Sequence, residues 1–151
     1  MSSYLSFYLV PKKSKTIFPE GEETKVELNQ TPLSILTYCR SSDVYRRYYD
    51  TLGPAYCGNK DAYTELTYED TQKVIREFKQ EDLQPAEERL KVLYKILKEG
   101  GYNSDIIDDI TSAETELSDL KNSLEELNSI SSLIYEIYSY SDFEKVLINI
   151  D

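Results

Sequence analysis

Histidine and tryptophan are absent from these 151 residues, and cysteine occurs only twice. Without histidine there is no imidazole to act as a general base, to activate a serine or cysteine nucleophile, or to bind zinc. Two cysteines cannot supply the four Cys or His ligands of a structural zinc site. Any catalysis would have to run on carboxylates, lysine, tyrosine or arginine. Glycine and proline number five each, and the chain has no low-complexity tract, internal repeat or linker. Long apolar runs are missing as well: nothing approaches the ~18 residues that a membrane span requires. The apolar stretch from Tyr4 to Val10 ends at Pro11 and follows no basic region, so it does not read as a signal peptide. These absences predict a cytoplasmic protein with no membrane partner, in which Cys39 and Cys57 are free thiols.

Positive charge is also in short supply, with 17 basic side chains against 28 acidic ones and a net charge of −11. The deficit is local. Residues 1–80 balance eleven of each sign, whereas residues 81–128 carry thirteen acids and five bases. Composition is otherwise that of a globular domain, 40% hydrophobic and 30% charged, and the length suits a single domain that buries its own core.

Periodicity locates the elements. Residues 4–10 alternate, with Leu5, Phe7 and Leu9 on one side, which predicts a strand. Ile17-Phe18 and Thr24 to Leu28 suggest two more short strands. Thr31 followed by Pro32 reads as an N-cap and first helical position, predicting a short helix through Cys39. Ser42 is placed to cap the next helix, with Tyr45, Tyr48, Tyr49 and Leu52 on one face and Gly53-Pro54 as its stop. Thr67 with Asp70 three residues on resembles a capping box, with Asp in place of Glu. After it Val74, Ile75 and Phe78 begin an apolar stripe that Leu83, Ala86, Leu90, Leu93 and Leu97 continue, with Pro85 kinking or restarting the helix. Gly100-Gly101 ends that helix. Beyond Asn103-Ser104, Ile106, Ile110, Ala113, Leu117, Leu120, Leu124 and Leu127 step by three and four. A stripe so narrow describes a coiled-coil seam. From Ile130 to Tyr138 the pattern is apolar on most sides, which predicts burial. Finally Val146, Ile148 and Ile150 alternate as a returning strand.

The fold expected is therefore α+β and mainly helical. A small antiparallel sheet from N- and C-terminal strands carries a long antiparallel helical hairpin, a coiled-coil-like arm. In one domain spanning 1–151, the base comprises residues 1–80 and 129–151 and the arm residues 81–128. At 1.5 Å per residue, residues 104–128 would reach about 37 Å.

Three groups of residues could carry function. The second arm helix bears Asp105, Asp108, Asp109, Glu114, Glu116, Asp119, Glu125 and Glu126 against Lys121 alone. Such a face keeps a projecting helix solvated, and its acids can pair with Arg89, Lys91, Lys95 and Lys98 of the other helix. It also suits docking to a basic surface. Arg40, Arg46 and Arg47 lie among seven tyrosines between Tyr38 and Tyr68 and form a candidate anion patch, although the tyrosine spacing is that of a helical core. Asp105 and Asp109 could share a divalent cation with Glu87 or Glu88. Residues 53–60, GPAYCGNK, fail as a phosphate loop, because Asn59 separates the glycine from Lys60 and Asp61 stands where Ser or Thr is needed.

The function expected is that of a non-enzymatic protein-interaction module, with no cofactor, no metal and no catalytic residue assigned. Its acidic hairpin would meet a protein partner with a basic surface, or a second copy of itself, without binding nucleic acid directly. The alternatives are an inhibitor that imitates nucleic-acid charge and, third, a carboxylate-metal-dependent nucleotide hydrolase.

Overall fold

The computed structural model describes residues 4–11, 33–56, 64–101, 103–140 and 143–150. Four strands, β1 (Tyr4–Pro11), β2 (Leu33–Cys39), β3 (Thr64–Leu66) and β4 (Phe143–Ile150), form one antiparallel sheet in the order β2-β1-β4-β3. The chain's last strand thus lies against its first. Alternation decides which side chains meet the helices: Leu5, Phe7 and Leu9 on β1 are buried, as are Val146, Ile148 and Ile150 on β4. Fully burying each aliphatic side chain is worth about 1.5–3 kcal/mol, which anchors the two ends of the chain to each other.

The described residues also form four helices: α1 (Asp43–Tyr56), α2 (Tyr68–Phe78), α3 (Gln84–Gly100) and α4 (Ser104–Tyr140). The Ser42 hydroxyl accepts the Val44 N–H at 3.1 Å and opens α1. The capping box at α2 forms as expected: Asp70 N–H donates to Thr67 Oγ1 at 3.1 Å, and Thr67 N–H donates to Asp70 Oδ2 at 3.0 Å. Val44, Tyr45, Tyr48 and Leu52 of α1 face the sheet, and Val74, Ile75 and Phe78 of α2, packed against α1 and α4, join them in one buried cluster. Phe7 meets Tyr48 edge-on at 5.4 Å and Tyr38 at 6.3 Å. Burial pushes the Tyr48 phenol far above its ordinary pKa, so it stays neutral in this core.

Several local expectations are overturned. Residues 33–39 are strand, not helix. They carry Ile35, Thr37 and Tyr38, residues that favour a pleated surface, and they pair with β1 from Tyr4↔Cys39 to Leu9↔Leu33. Helix α1 does not stop at Gly53-Pro54 but runs to Tyr56. The segment after Ile130 is not buried all round: Ile130, Ile134 and Ile137 are, while Tyr135 and Tyr138 are exposed. Tyr138 earns its place by its hydroxyl, which donates to the Leu66 carbonyl at 2.5 Å and accepts the Val146 N–H at 3.2 Å, tying α4 to β3 and β4. Strand β3 has no counterpart in the sequence reading. The strands suggested at 17–18 and 24–28, the Thr31-Pro32 cap and Cys57 lie outside the described residues.

The junction between α2 and α3 departs from a plain kink at Pro85. Residues Lys79–Leu83 form a π-helical turn, with Gln84 N–H donating to the Lys79 carbonyl five residues back. The spacing of the core residues accounts for it. From Phe78 to the next buried apolar residue, Leu83, is a step of five, and only a locally widened turn keeps both on the side facing the core. A regular helix would instead drive the Pro85 ring toward the Glu81 carbonyl.

Candidate functional site: the helical arm

Helices α3 and α4 lie antiparallel, in contact along their apolar seams. Two cross-helix contacts set the register: Arg89 Nη1 donates to Glu116 Oε2 at 3.2 Å, and the Tyr94 hydroxyl donates to Glu114 Oε1. At the tip, Gly101 takes φ 79°, a left-handed conformation that costs glycine little, and its N–H caps α3 on the Leu97 carbonyl at 3.1 Å. Asn103 then caps α4, its Oδ1 accepting the Asp105 N–H at 2.8 Å.

The seam changes character along its length. Leu83 of the π-helical turn, Ala86 of α3 and Leu120 and Leu127 of α4 belong to the main buried cluster. Nearer the tip Ile110 and Ala113 are buried, but Leu90, Leu93, Leu97, Ile106 and Ile107 are only half-buried. Two helices alone cannot enclose a seam, so the outer part of the arm keeps apolar surface in water.

The two contacts also define the sides of the hairpin. Arg89 shares a helix face with Val92, Ile96 and Glu99 by steps of three and four. Glu116 shares one with Asp105, Asp109, Ser112, Asp119, Ser123 and Glu126 in the same way. Because Arg89 touches Glu116, these two stripes occupy one side of the hairpin. Tyr94 and Glu114 mark the other, with Lys91 and Lys98 nearby in the helical repeat. There the carboxylate hydrogen bond raises the Tyr94 pKa.

All eight acidic residues singled out in the sequence are exposed, but they are not one face. Glu114 is engaged by Tyr94 and Glu116 by Arg89. Glu126 lies at the root, close enough to Tyr38 to add to the burial that raises that phenol's pKa. Asp105, Asp109 and Asp119 fall on the Arg89 side. The expected pairing of lysines with α4 does not form: Arg89–Glu116 is the one ion pair across the hairpin among the described residues. Lys91, Lys95 and Lys98 occupy positions turned away from the acidic stripe, so the charge of α4 is left largely uncompensated.

Beside the middle of the stripe an open hollow lies between α4 and the start of α1, lined by Asp43, Arg46, Ser112, Glu116 and Asp119 among others. Ser123 Oγ donates to Asp43 Oδ2 at 3.1 Å and fixes the end of α1 against α4. Arg46 pairs with Asp43 at 3.1 Å.

The three arginines do not assemble into an anion patch. Successive residues on a helix point about 100° apart, so Arg46 faces solvent while Arg47 turns inward. Arg47 is only 4% exposed. Its Nη2 and Nε reach Asp82 Oδ2 at 2.9 and 3.0 Å, and its Nη1 reaches Glu81 Oε2 at 2.9 Å. Burial alone would lower its pKa, but the two carboxylates outweigh that and raise it. Both acids belong to the π-helical turn, so Arg47 is committed to holding the root of α3. Arg40 stands exposed in the turn after β2. The sequence offered no signal for the Arg47 pairing, because its partners are 34 and 35 residues away.

The carboxylate pair proposed to share a cation is likewise not brought together. On the observed register Glu88 lies about 12 Å below Asp109 along the arm. No group of three or more potential ligands that could hold a metal ion occurs among the described residues. None of the described helices is long and apolar enough to cross a membrane. The Cys39 thiol is exposed, 3.1 Å from the Ser41 hydroxyl, and that hydrogen bond lowers its pKa. Comparison with protein-family models, with curated proteins and with solved structures finds no match.

Proposed function

We propose that this chain is a non-enzymatic interaction module whose acidic helical arm docks a protein partner through a basic surface. One observation carries the reading: α4 holds Asp105, Asp109 and Asp119 exposed along one stripe, while the lysines of α3 are turned away from it. Like charges crowded on one helix repel, at a cost of a few tenths of a kcal/mol for each adjacent pair. A basic partner surface relieves that repulsion and gains fast, salt-dependent association. The arm suits this role mechanically, because α4 runs unbroken for 37 residues from the tip into the core.

The test is affinity capture from host extract with the wild-type chain and with Asp105, Asp108 and Asp109 all changed to Asn. A specific partner should be retained by the wild type, lost from the variant and released by salt. Equal retention on both, or no partner at low salt, would remove the basis of the proposal.

A further inference from the structure

The exposed apolar pair on α3 is not explained by the fold. Val92 is 56% exposed and Ile96 44%, and the seam that joins α3 to α4 uses Leu90, Leu93 and Leu97 instead. The π-helical turn is the reason. Counting regular helical steps from Phe78 leads through Asp82, Pro85 and Arg89 to Val92 and Ile96. Inserting the extra residue rotates this stripe out of the seam and onto the side of the hairpin where Arg89 meets Glu116. The same side carries Asp105 beyond the pair, toward the tip, Asp109 level with Ile96, and Asp119 below the pair.

From this arrangement we infer that the Val92–Ile96 face of the arm is the docking site of a basic amphipathic helix from another protein. This deepens the proposed function and rests on it. The charge pattern selects the occupant. An apolar ridge beside a row of carboxylates, spaced by helical turns, complements a helix with an apolar stripe bordered by Lys or Arg. The ridge of such a helix covers Val92, Ile96 and the half-buried Leu93 and Leu97, and its basic flank meets Asp105, Asp109 and Asp119. The hollow toward Asp43 borders the same track: of the acids in its walls Asp43 is paired with Arg46 and Glu116 with Arg89, which leaves Asp119 to the basic flank. A second copy of this chain suits the face less well: stacking two such sides antiparallel brings acidic stripe against acidic stripe.

The probe is an 18-residue capped peptide of Leu and Lys with leucines at helical three-and-four spacing. Its control is a peptide of the same composition, scrambled so that no apolar face forms. Both are titrated into the full chain by fluorescence anisotropy at low salt. The helical peptide should bind at least tenfold more tightly than the scrambled one. That advantage should vanish in the double variant Val92→Ser, Ile96→Ser, whose exposed positions leave the fold intact by circular dichroism. Asp105→Asn with Asp109→Asn should weaken both peptides. If the two peptides bind equally and the serine variant changes nothing, the docking face is overturned while the acidic-arm reading stands. If neither binds, both fall. A wild-type dimer in light scattering that the serine variant dissociates would assign the face to a second copy and overturn the inference.

Discussion

Arg47 offers the sharpest test of how the arm is held to the base. Its guanidinium is buried at 4% exposure and bridges two neighbouring carboxylates of very different solvation: the Asp82 side chain is 17% exposed and that of Glu81 61%. Solvent screens the Glu81 contact, so Glu81→Gln should cost only about 0–1 kcal/mol. Asp82 is the partner that compensates the buried cation, through both Nε and Nη2. Asp82→Asn should therefore cost about 3–5 kcal/mol, the usual penalty for stranding a buried charge. In a chain of this length that corresponds to a fall in Tm of roughly 6–20 °C. Arg47→Met removes the cation while filling its space and should cost less than Asp82→Asn, because it leaves two carboxylates that can turn to water. Urea unfolding followed by far-ultraviolet circular dichroism measures all three, and combining Arg47→Met with Asp82→Asn closes a thermodynamic cycle. Equal losses for Glu81→Gln and Asp82→Asn, or a loss below 1 kcal/mol for the latter, would show that the pair does not secure the root of α3.

Removing residues 145–151 takes away Val146, Ile148 and Ile150 from the centre of the sheet; melting should collapse or the protein become insoluble, whereas Ile148→Ala should cost about 2–5 kcal/mol in the same unfolding assay. In a Pro85→Ala background, which takes the ring away from the Glu81 carbonyl, deleting Gln80 turns the five-residue step from Phe78 to Leu83 into four, so the π-helical turn should give way to regular helix with the arm seam preserved. Deleting Lys91 instead rotates Leu93 and Leu97 off the seam and should lower the helical signal more; if the two deletions behave alike, the register argument is wrong. In a Cys57→Ser background, the alkylation rate of Cys39 should rise with pH through a midpoint below that of an ordinary thiol. Ser41→Ala removes the hydrogen bond that favours the thiolate and should shift that profile upward in pH; an unmoved profile would exclude Ser41 as the cause.

Much of the architecture is written in spacing. Steps of three and four from Ile106 to Leu127, punctuated by Gly100-Gly101 and capped at Asn103, determined a thin antiparallel hairpin, because only that period puts one stripe against a partner helix. Alternation at 4–10 and 146–150 likewise determined two half-buried strands. The five-residue step after Phe78 was also present, and it is the trace of the π-helical turn. Other features depended on partners far away in the chain. Residues 33–39 are too short for periodicity to decide, and became strand because β1 offers them a hydrogen-bonding edge. The acidic content of α4 is plain from composition, but which acids stay uncompensated depends on the rotation of α3 against it. Arg46 and Arg47 are adjacent and alike in sequence. Tertiary structure alone made one a surface cation and the other a buried clamp, since the carboxylates that receive Arg47 arrive only when α2 packs beside α1.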